Sequence, residues 1–564
     1  MTAFANKIDM QHRLFSELSR MFGKEVPLYD KALLVNLVCN RAVCDLLGKL
    51  HTGFEISDEQ IDRTSGERHG AIRIGTPTEY RRVAQFFAAF AMEPHNFYDM
   101  TNVGSKSQPI IATAFRSTLN PEHRVFCSLL QTNYFDPGTQ GRIDALLATR
   151  EVFSKRAIEL IEKNQRDGGL SAADADALIR EGVERIFKWT GKARDHKLYK
   201  DLSDGGFKIA ADIACFESHH LNHLTPNTFC MDLYTAAMKH AMGEMDEATF
   251  ASRATTTLNR LTTQADGHFM RLHFRHLTGE QIERFGKGHA DGTDIAGLVS
   301  RLIARLHQPD LNLAALKHSG FKEFTEGPAQ DTPVLLRQDA YKALTEPVEF
   351  HNADGSVVNT VHTARFGEIE ERFYATTLAG RELYDTCLAA ADAARDRDPG
   401  LPKRDFAAYE AAYAAPFAPF PKTLDALVAK GFVYAKYEAT PKGIAAAGTL
   451  KTTDIGELVQ AGYARLEGVR YEDFLPVSAA GIFASNLNQY GTKSTAAVKP
   501  VYTQAMLEEI MGRPIIVADK VYHAIEAASL HATFEKLGLV ARLTPHERAG
   551  VEAGAALLHA VSAH

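Results

Sequence analysis

The sequence lacks most of the common signatures of catalysis. It contains no GxxxxGK[ST] loop, no HExxH pair, no GxSxG elbow and no GxGxxG between a predicted strand and helix. These absences argue against ATP hydrolysis, zincin chemistry and serine-hydrolase chemistry. The six cysteines are scattered without CxxC spacing, which argues against a disulfide framework and a zinc ribbon and is typical of a reducing cytoplasm.

Long runs of charged or apolar residues are also missing. The 564-residue chain has a net charge of -7 and no Lys/Arg run, so we do not expect it to bind nucleic acid. No stretch reaches the roughly 18 apolar residues that span a bilayer, and the N-terminal MTAFANKIDMQHRLF has no apolar signal core. We therefore predict a globular, cytoplasmic protein without a membrane segment. No pattern in the sequence specifies the oligomeric state.

Helical and extended segments follow one another along the chain. Apolar spacing predicts helices over 9–22 and 31–49, whereas ERHGAIRIGT, FKIAADIACFESHHLNHLT and VEFHNADGSVVNTVHTARFGEIEERF are predicted to be extended. The fold class is therefore α+β. We predict one discontinuous catalytic body, a helical insertion and a C-terminal helical tail, with the boundaries 1–235 and 325–535, 236–324, and 536–564.

The extended segment ERHGAIRIG carries a histidine and an arginine on one face. Strand alternation places His69, Ala71 and Arg73 together, with His69 and Arg73 about 13 Å apart at roughly 3.3 Å per residue. The small alanine leaves space between a potential metal ligand and a guanidinium that could bind a carboxylate. The alternative is an ordinary surface strand with a salt-bridged arginine.

The segment ESHHLNHLTP contains three histidines within five positions. Alternation places His219 and His223 on one face of a strand and His220 on the other. Either His219 or His223 could bind a metal, and the pattern alone does not choose between them. The alternative is a loop whose histidines have packing and hydrogen-bonding roles.

The segment ARFGEIEERF places Phe366, Glu368 and Glu370 on one strand face. Gly367 would allow a bulky group to approach the backbone beside Glu368. Solvated surface carboxylates are the alternative interpretation. Two imidazoles and one carboxylate from these three segments would form the facial triad of non-haem iron(II) oxygenases, which leaves three octahedral positions open.

Two other histidine-rich sets are not expected to bind the metal. His268, His273 and His276 lie in a predicted helix and cannot all share one of its faces. His289 and Asp291, with His351 as the distal ligand, resemble the HxD start of a cupin-type 2-oxoglutarate oxygenase, but no predicted strands flank them.

Five motifs together resemble the 2-oxoadipate dioxygenase/decarboxylase family: GERHGAIRIGT, HLNHLTP, LLRQDAYKAL, HTARFGEIE and YEDFLPVSAAGIF. The resemblance covers about residues 10–235 and 325–535. It implies a central β-sheet or barrel similar to the vicinal oxygen chelate superfamily, with extensive helical additions. It also implies an Fe(II) site with the ligands His69, His223 and Glu368, which decides between the two candidate histidines.

The resemblance implies further site residues and a reaction. Arg73 matches the partner of the substrate carboxylate, Val477 and Ser478 match the segment that closes over the substrate, and Arg337 and Gln338 match pocket residues. The implied reaction converts 2-oxoadipate and O2 into 2-hydroxyglutarate, the D form in the family, and CO2 during lysine breakdown.

Three alternatives remain open at this point. One is a related dioxygenase for 2-oxo acids of another chain length. A second is a vicinal-oxygen-chelate lyase, isomerase or extradiol dioxygenase. The third is a non-catalytic protein that senses 2-oxo acids.

Overall fold

The protein combines helices with several small sheets, which confirms the predicted α+β class. A computed structural model describes residues 4–102, 107–118, 120–288, 294–475 and 501–562. The strands in these ranges are β1 (His51–Thr52), β2 (Arg68–Ile74), β3 (Glu93–Asp99), β4 (Ile110–Arg116), β5 (His123–Leu130), β6 (Lys192–Arg194), β7 (His223–Pro226), β8 (Gly286–Lys287), β9 (Leu336–Tyr341), β10 (Thr345–His351), β11 (Val357–Thr363), β12 (Gly367–Arg372), β13 (Ala435–Ala439) and β14 (Ala464–Gly468).

Many of the α-helices begin after a residue whose side chain caps the first turn, and their buried residues follow the apolar spacing of the sequence. In the described ranges they are α1 (Lys7–Glu25), α2 (Pro27–Leu50), α3 (Asp58–Ser65), α4 (Pro77–Ala88), α5 (Pro137–Ala148), α6 (Lys155–Asp167), α7 (Ala172–Glu181), α8 (His196–Asp204), α9 (Lys208–Cys215), α10 (Met231–Ala241), α11 (Glu247–Gln264), α12 (Gly267–His273), α13 (Gly279–Glu283), α14 (Ile295–Leu306), α15 (Leu378–Arg397), α16 (Leu401–Arg404), α17 (Phe406–Ala414), α18 (Leu424–Ala429), α19 (Pro441–Ala445), α20 (Ile455–Gln460), α21 (Gln504–Met511), α22 (Ala518–Lys536) and α23 (Pro545–Ser562). The two helices predicted near the N-terminus are confirmed as α1 and α2. No helix in this part of the chain is long and apolar enough to cross a membrane.

The largest sheet has five strands in the order β3-β4-β5-β2-β7. Strand β2 runs parallel to β5 and antiparallel to β7, so it is covered on both edges. One face of the sheet carries large apolar side chains, including Ile72 and Phe115, and packs in the same core as α1, α2 and α4. The other face carries the small residues Ala71 and Ala114 and the larger Phe126, and it packs with α9 in a second buried cluster. Polar groups on this second face are therefore enclosed and shielded from solvent.

A second, two-stranded sheet pairs β12 with β9 and lies beside the first. A parallel bridge between Asn227 and Glu370 joins the two sheets just after β7 ends. The strands of the described ranges form open sheets, and none of these sheets closes into a barrel. The expected barrel is therefore not confirmed, because β3 and β7 remain edge strands of the five-stranded sheet.

The segment FKIAADIACF is a helix in part, and the prediction that it is extended is wrong for α9. Every residue from Ile209 to Cys215 is buried. A short run that is buried on all sides has neither the period of a strand nor that of a helix. The alternation rule therefore had nothing to detect, and the helical state of α9 follows from its packing.

Residues 236–324 are largely helical and share the main core of the protein. Leu258 of α11 and Leu302 of α14 belong to the same buried cluster as Phe15 of α1 and Leu46 of α2. These helices therefore pack on the catalytic body without a separate core between them. The predicted domain boundaries stay a prediction.

Candidate metal centre

Strand pairing brings the three candidate ligands to one place. In the pairing of β2 with β7, His69 stands opposite Thr225 and Ala71 stands opposite His223. Residues that face each other across two strands point to the same side of a sheet, so both histidines lie on the face that carries Ala71. The neighbouring strand β12 supplies Glu368. Alternation along β2 and β12 permits this meeting. The strand β7 begins only at His223, so the prediction that His219 shares a strand face with His223 is wrong.

The donor atoms of the three side chains are close together and buried. His69 Nε2 lies 3.2 Å and His223 Nε2 lies 3.3 Å from Glu368 Oε2. Donor atoms that bind one ion at about 2.1 Å in neighbouring octahedral positions lie about 3 Å apart. The side chains are at most 1% exposed. The arrangement therefore has the dimensions of a mononuclear metal site.

Unsatisfied polar atoms in the same place also fit a metal ion. Both ring nitrogens of His223 and Oε1 of Glu368 are buried and have no hydrogen-bond partner among the described residues. Buried polar atoms are costly without a partner, and an ion would provide one. Two imidazoles and one carboxylate are the donors that non-haem Fe(II) enzymes use, so the residues fit that ion.

Glu368 is held by two further side chains. Gln338 Nε2 donates a hydrogen bond of 2.7 Å to Oε2, and Thr225 Oγ1 donates one of 3.1 Å to the same oxygen. Burial raises the pKa of Glu368, although the contact with His69 opposes the rise. The two donors therefore fix the orientation of the carboxylate.

Glu370 supports the other side of His69. Its Oε2 lies 2.8 Å from His69 Nδ1, a close charge contact whose angle departs from a regular hydrogen bond. Arg372 binds both oxygens of Glu370 at 2.6 and 2.9 Å, and Arg124 lies 3.2 Å from Oε1. Burial lowers the pKa of His69, but Glu370 and Glu368 outweigh it and the net pKa is raised. A carboxylate behind a ligating histidine fixes which ring nitrogen faces the metal.

Arg73 lies on the same strand face as His69, as alternation predicted. Its Nη1 lies 2.6 Å from Asp212 Oδ2 of α9, and the described residues give the guanidinium no other hydrogen-bond acceptor. Burial raises the pKa of Asp212 to about 6, although Arg73 opposes the rise. Sequence reasoning missed Asp212 because it treated α9 as extended.

The structure separates the other pair of expected pocket residues. Gln338 points to Glu368, whereas Arg337 lies on the opposite face of β9 and contacts Asp232 at 2.7 Å. Adjacent strand residues point to opposite faces, so only one of the two can reach the candidate metal site. Val477 and Ser478 lie outside the described residues.

The other histidines that the sequence offered as metal ligands lie in different environments. His219 Nε2 lies 3.5 Å from Glu79 Oε2, and His220 packs between the rings of Trp189 and Phe216. In the described ranges, two groups of three potential ligands lie close enough to share an ion, and neither includes His268, His273, His276 or His351. His289 and Asp291 lie outside these ranges.

The fold and the site together define a class of protein. An α+β body in which separate strands deliver two histidines and a glutamate to one buried point is typical of a mononuclear metalloenzyme of the facial-triad type. The sequence profile of the 2-oxoadipate dioxygenase/decarboxylase family matches residues 14–290 and 299–486. The chain belongs to this family of enzymes. The profile includes most of residues 236–324, so these helices are largely common to the family.

Individual relatives match over nearly the whole chain. The 2-oxoadipate dioxygenase/decarboxylase of Pseudomonas putida is 32% identical over 95% of this chain and 98% of its own length. The protein of the same name from Escherichia coli is 28% identical over 92% of this chain and 97% of its own. A crystal structure of the Pseudomonas putida hydroxyglutarate synthase in complex with 2-oxoadipate has a TM-score of 0.67, 29% identity, and coverage of 96% of this chain and 100% of that one.

Proposed function

We propose that this protein is an Fe(II)-dependent enzyme that converts 2-oxoadipate and O2 into 2-hydroxyglutarate and CO2 in lysine breakdown. One observation carries the proposal: His69, His223 and Glu368 form a buried triad with the donor set and spacing of an iron site. The full-length match to a structure solved with 2-oxoadipate supports the choice of substrate. The family resemblance supports the D form of the product.

The three ligands would hold the ion on one side and leave the other side for the reactants. When bound, Fe(II) supplies the one-electron chemistry through which O2 reacts with the 2-oxo acid. The six carbons of the substrate are conserved as five in the product and one in CO2, and both atoms of O2 are incorporated. The buried setting excludes bulk water and keeps His223 neutral, since burial holds the pKa of His223 well below its usual value.

Arg73 is the residue that we assign to the distal carboxylate of the substrate. Asp212 binds one nitrogen of the guanidinium, and the planar group has further N–H donors for a second carboxylate. Because Arg73 is fixed by Asp212 and lies on the same rigid strand as His69, the distance between the two determines the chain length accepted. Asp212 is a positioning residue in this scheme.

Four finer assignments belong to the same proposal. Val477 and Ser478 would close over the substrate, and Gln338 would act by holding Glu368. Arg337 would contribute to the pocket only from a distance, because its side chain binds Asp232 on the opposite face of β9. The sheets around the triad would correspond to the vicinal-oxygen-chelate-like centre that the family resemblance implies.

We also place the reaction in the cytoplasm. All six cysteines are buried and unpaired, which is typical of a reducing compartment.

The test is turnover by the purified protein loaded with Fe(II). Incubation with 2-oxoadipate should consume one O2 for each CO2 released and yield 2-hydroxyglutarate, and His223→Ala should abolish both. His219→Gln is the matched control, because this neighbouring histidine is equally buried but lies away from the triad. It should keep the metal and the activity.

The same experiment separates the alternatives. A panel of C4 to C7 2-oxo diacids identifies another chain length, and turnover without O2 would indicate a lyase or isomerase. Thermal stabilisation by 2-oxo acids without any product would indicate a sensor. Absence of turnover across the whole panel would refute the proposal.

A further inference from the structure

We propose that His12, Glu122 and His123 form a second metal site, which takes a divalent transition-metal ion such as Zn²⁺. His12 lies in α1, while Glu122 and His123 lie where β5 begins. His12 Nδ1 is 3.1 Å from His123 Nε2 and 3.8 Å from Glu122 Oε2. In the part of the chain that the structure describes, this group and the triad are the two sets that could share an ion. The proposal does not depend on the reaction of the enzyme.

The spacing of the three donor atoms suits a tetrahedral ion. Donors that bind Zn²⁺ at 2.0–2.1 Å in tetrahedral geometry lie about 3.3 Å apart. The observed distances of 3.1 and 3.8 Å lie on either side of this value, so small side-chain rotations are sufficient. Two histidines and one glutamate leave the fourth position for water, and the carboxylate balances one of the two positive charges.

His123 is prepared to act as a ligand. Its ring is buried and stacks on Phe15 with ring centres 4.4 Å apart and planes at 7°. Burial, with contributions from His12 and Arg68, holds the pKa of His123 well below its usual value. The imidazole therefore stays neutral at ordinary pH, and its Nε2 has a lone pair because no proton must first be removed from a charged ring.

His12 requires one rearrangement. Asn120 Nδ2 lies 3.2 Å from His12 Nε2, so without an ion the proton of His12 is on Nδ1 and is donated to His123. Metal binding requires the other tautomer, with the proton on Nε2. A half-turn of the Asn120 amide presents its oxygen to that proton, at the cost of its hydrogen bond to Gln11 Oε1. The rearrangement is local and involves no backbone movement.

An ion from solution can reach this group. The side chains of His12 and Glu122 are 31% and 23% exposed. Glu122 also lines a surface cleft of about 320 Å³, together with Gln60, Arg63 and Arg275. A bound ion would attach α1 to the start of β5, the central strand of the five-stranded sheet, next to the strand position of Arg124.

The test counts zinc ions bound per chain after equilibrium dialysis against Zn²⁺ alone. The wild-type protein should bind two, and His12→Gln and His223→Ala should each bind one, because each removes a ligand from a different site. The double variant should bind none. His351→Gln is the matched control, since His351 also lies beside a glutamate, Glu349, but has no third donor among the residues that the structure describes.

Equal zinc content in the wild-type protein and His12→Gln would overturn the proposal and leave a simple hydrogen bond between the histidines. If His12→Gln does not fold, Glu122→Gln provides the same test at a partly exposed position. This variant should bind the second ion at least tenfold more weakly. Unchanged affinity in Glu122→Gln would equally overturn the proposal.

Discussion

At the scale of single residues, the candidate metal site depends on the side chains that hold its ligands. Replacing Gln338 by alanine removes the 2.7 Å hydrogen bond that orients Glu368. Loss of such a supporting contact typically lowers metal affinity roughly 10- to 100-fold. We therefore expect the Fe(II) dissociation constant of Gln338→Ala to rise by about this factor, as measured by anaerobic metal titration.

The control for this prediction is Gln308→Ala. Gln308 is an exposed glutamine that follows α14, and its side chain donates a hydrogen bond to the carbonyl of Ala304, so its removal should leave metal affinity unchanged. Equal affinities in the two variants would show that Gln338 does not position Glu368.

Strand alternation predicted which face of a strand each of these residues occupies, but it did not predict which atoms they contact. Alternation placed Glu368 and Glu370 on one strand face, and both do contact His69. It could not assign one carboxylate to Nε2 and the other to Nδ1, because that choice depends on how two separate sheets pack. Asp212 could not be predicted for a similar reason, since its contact with Arg73 depends on how α9 packs.

At the scale of elements, strand β12 requires a residue without a side chain beside Glu368. A Cβ atom at Gly367 would overlap the ring of Tyr341, which stands opposite in β9 and is buried. Overpacking of this kind costs about 1–3 kcal/mol. We expect Gly367→Ala to reduce the free energy of unfolding by this amount and to weaken metal binding, as measured by urea denaturation and metal titration.

Gly141→Ala is the matched control for this change. Gly141 lies in α5 and has open space where the methyl group of an alanine would project, so alanine should stabilise that helix by roughly 0.5–1 kcal/mol. A Gly367→Ala protein as stable as the wild type would mean that Tyr341 moves aside without cost.

Asp339, on the face of β9 opposite Gln338, makes the free energy of unfolding depend on pH. Burial raises the pKa of Asp339 from 3.8 to about 6, although Lys239 and Lys322 oppose the rise. A carboxyl group whose pKa is higher in the folded state stabilises the fold most below the unfolded pKa, and this contribution is lost as pH rises through the folded value. Between pH 5 and 7 the loss amounts to about 1 kcal/mol.

Asp339→Asn should remove this part of the pH dependence. We expect the free energy of unfolding of the wild-type protein to fall by about 1 kcal/mol more than that of the variant between pH 5 and 7. Urea denaturation at both pH values measures the difference. Parallel pH profiles would mean that Asp339 stays charged throughout this range.

At the scale of the whole molecule, α11 and α14 pack in the same buried core as α1 and α2. Leu258 of α11 is fully buried in that core. Replacement of a buried leucine by alanine costs about 2–5 kcal/mol. If the core is shared, Leu258→Ala should shift the unfolding of the entire protein in one calorimetric transition.

The control is Asn259→Ala, which changes an exposed residue of the same helix and should leave the transition in place. A separate low-temperature transition in Leu258→Ala would instead identify residues 236–324 as an independent domain. The sequence predicted the helical character of this segment from its polarity and spacing. Its packing against α1 and α2 could not be predicted, because contacts between distant segments produce no periodic pattern in the sequence.

The three candidate ligands come from strands that are far apart in the chain, and this has a consequence for how the protein is made. No nascent fragment that ends before Arg372 contains a complete set with its support, since Glu368, Glu370 and Arg372 all lie in β12. An ion at this triad therefore cannot guide the folding of the segments that precede β12 while the chain is being synthesised. An ion at the triad would add to the stability of the protein only after β12 has been made and placed, so a shortage of metal in the cell would leave the earlier segments able to fold.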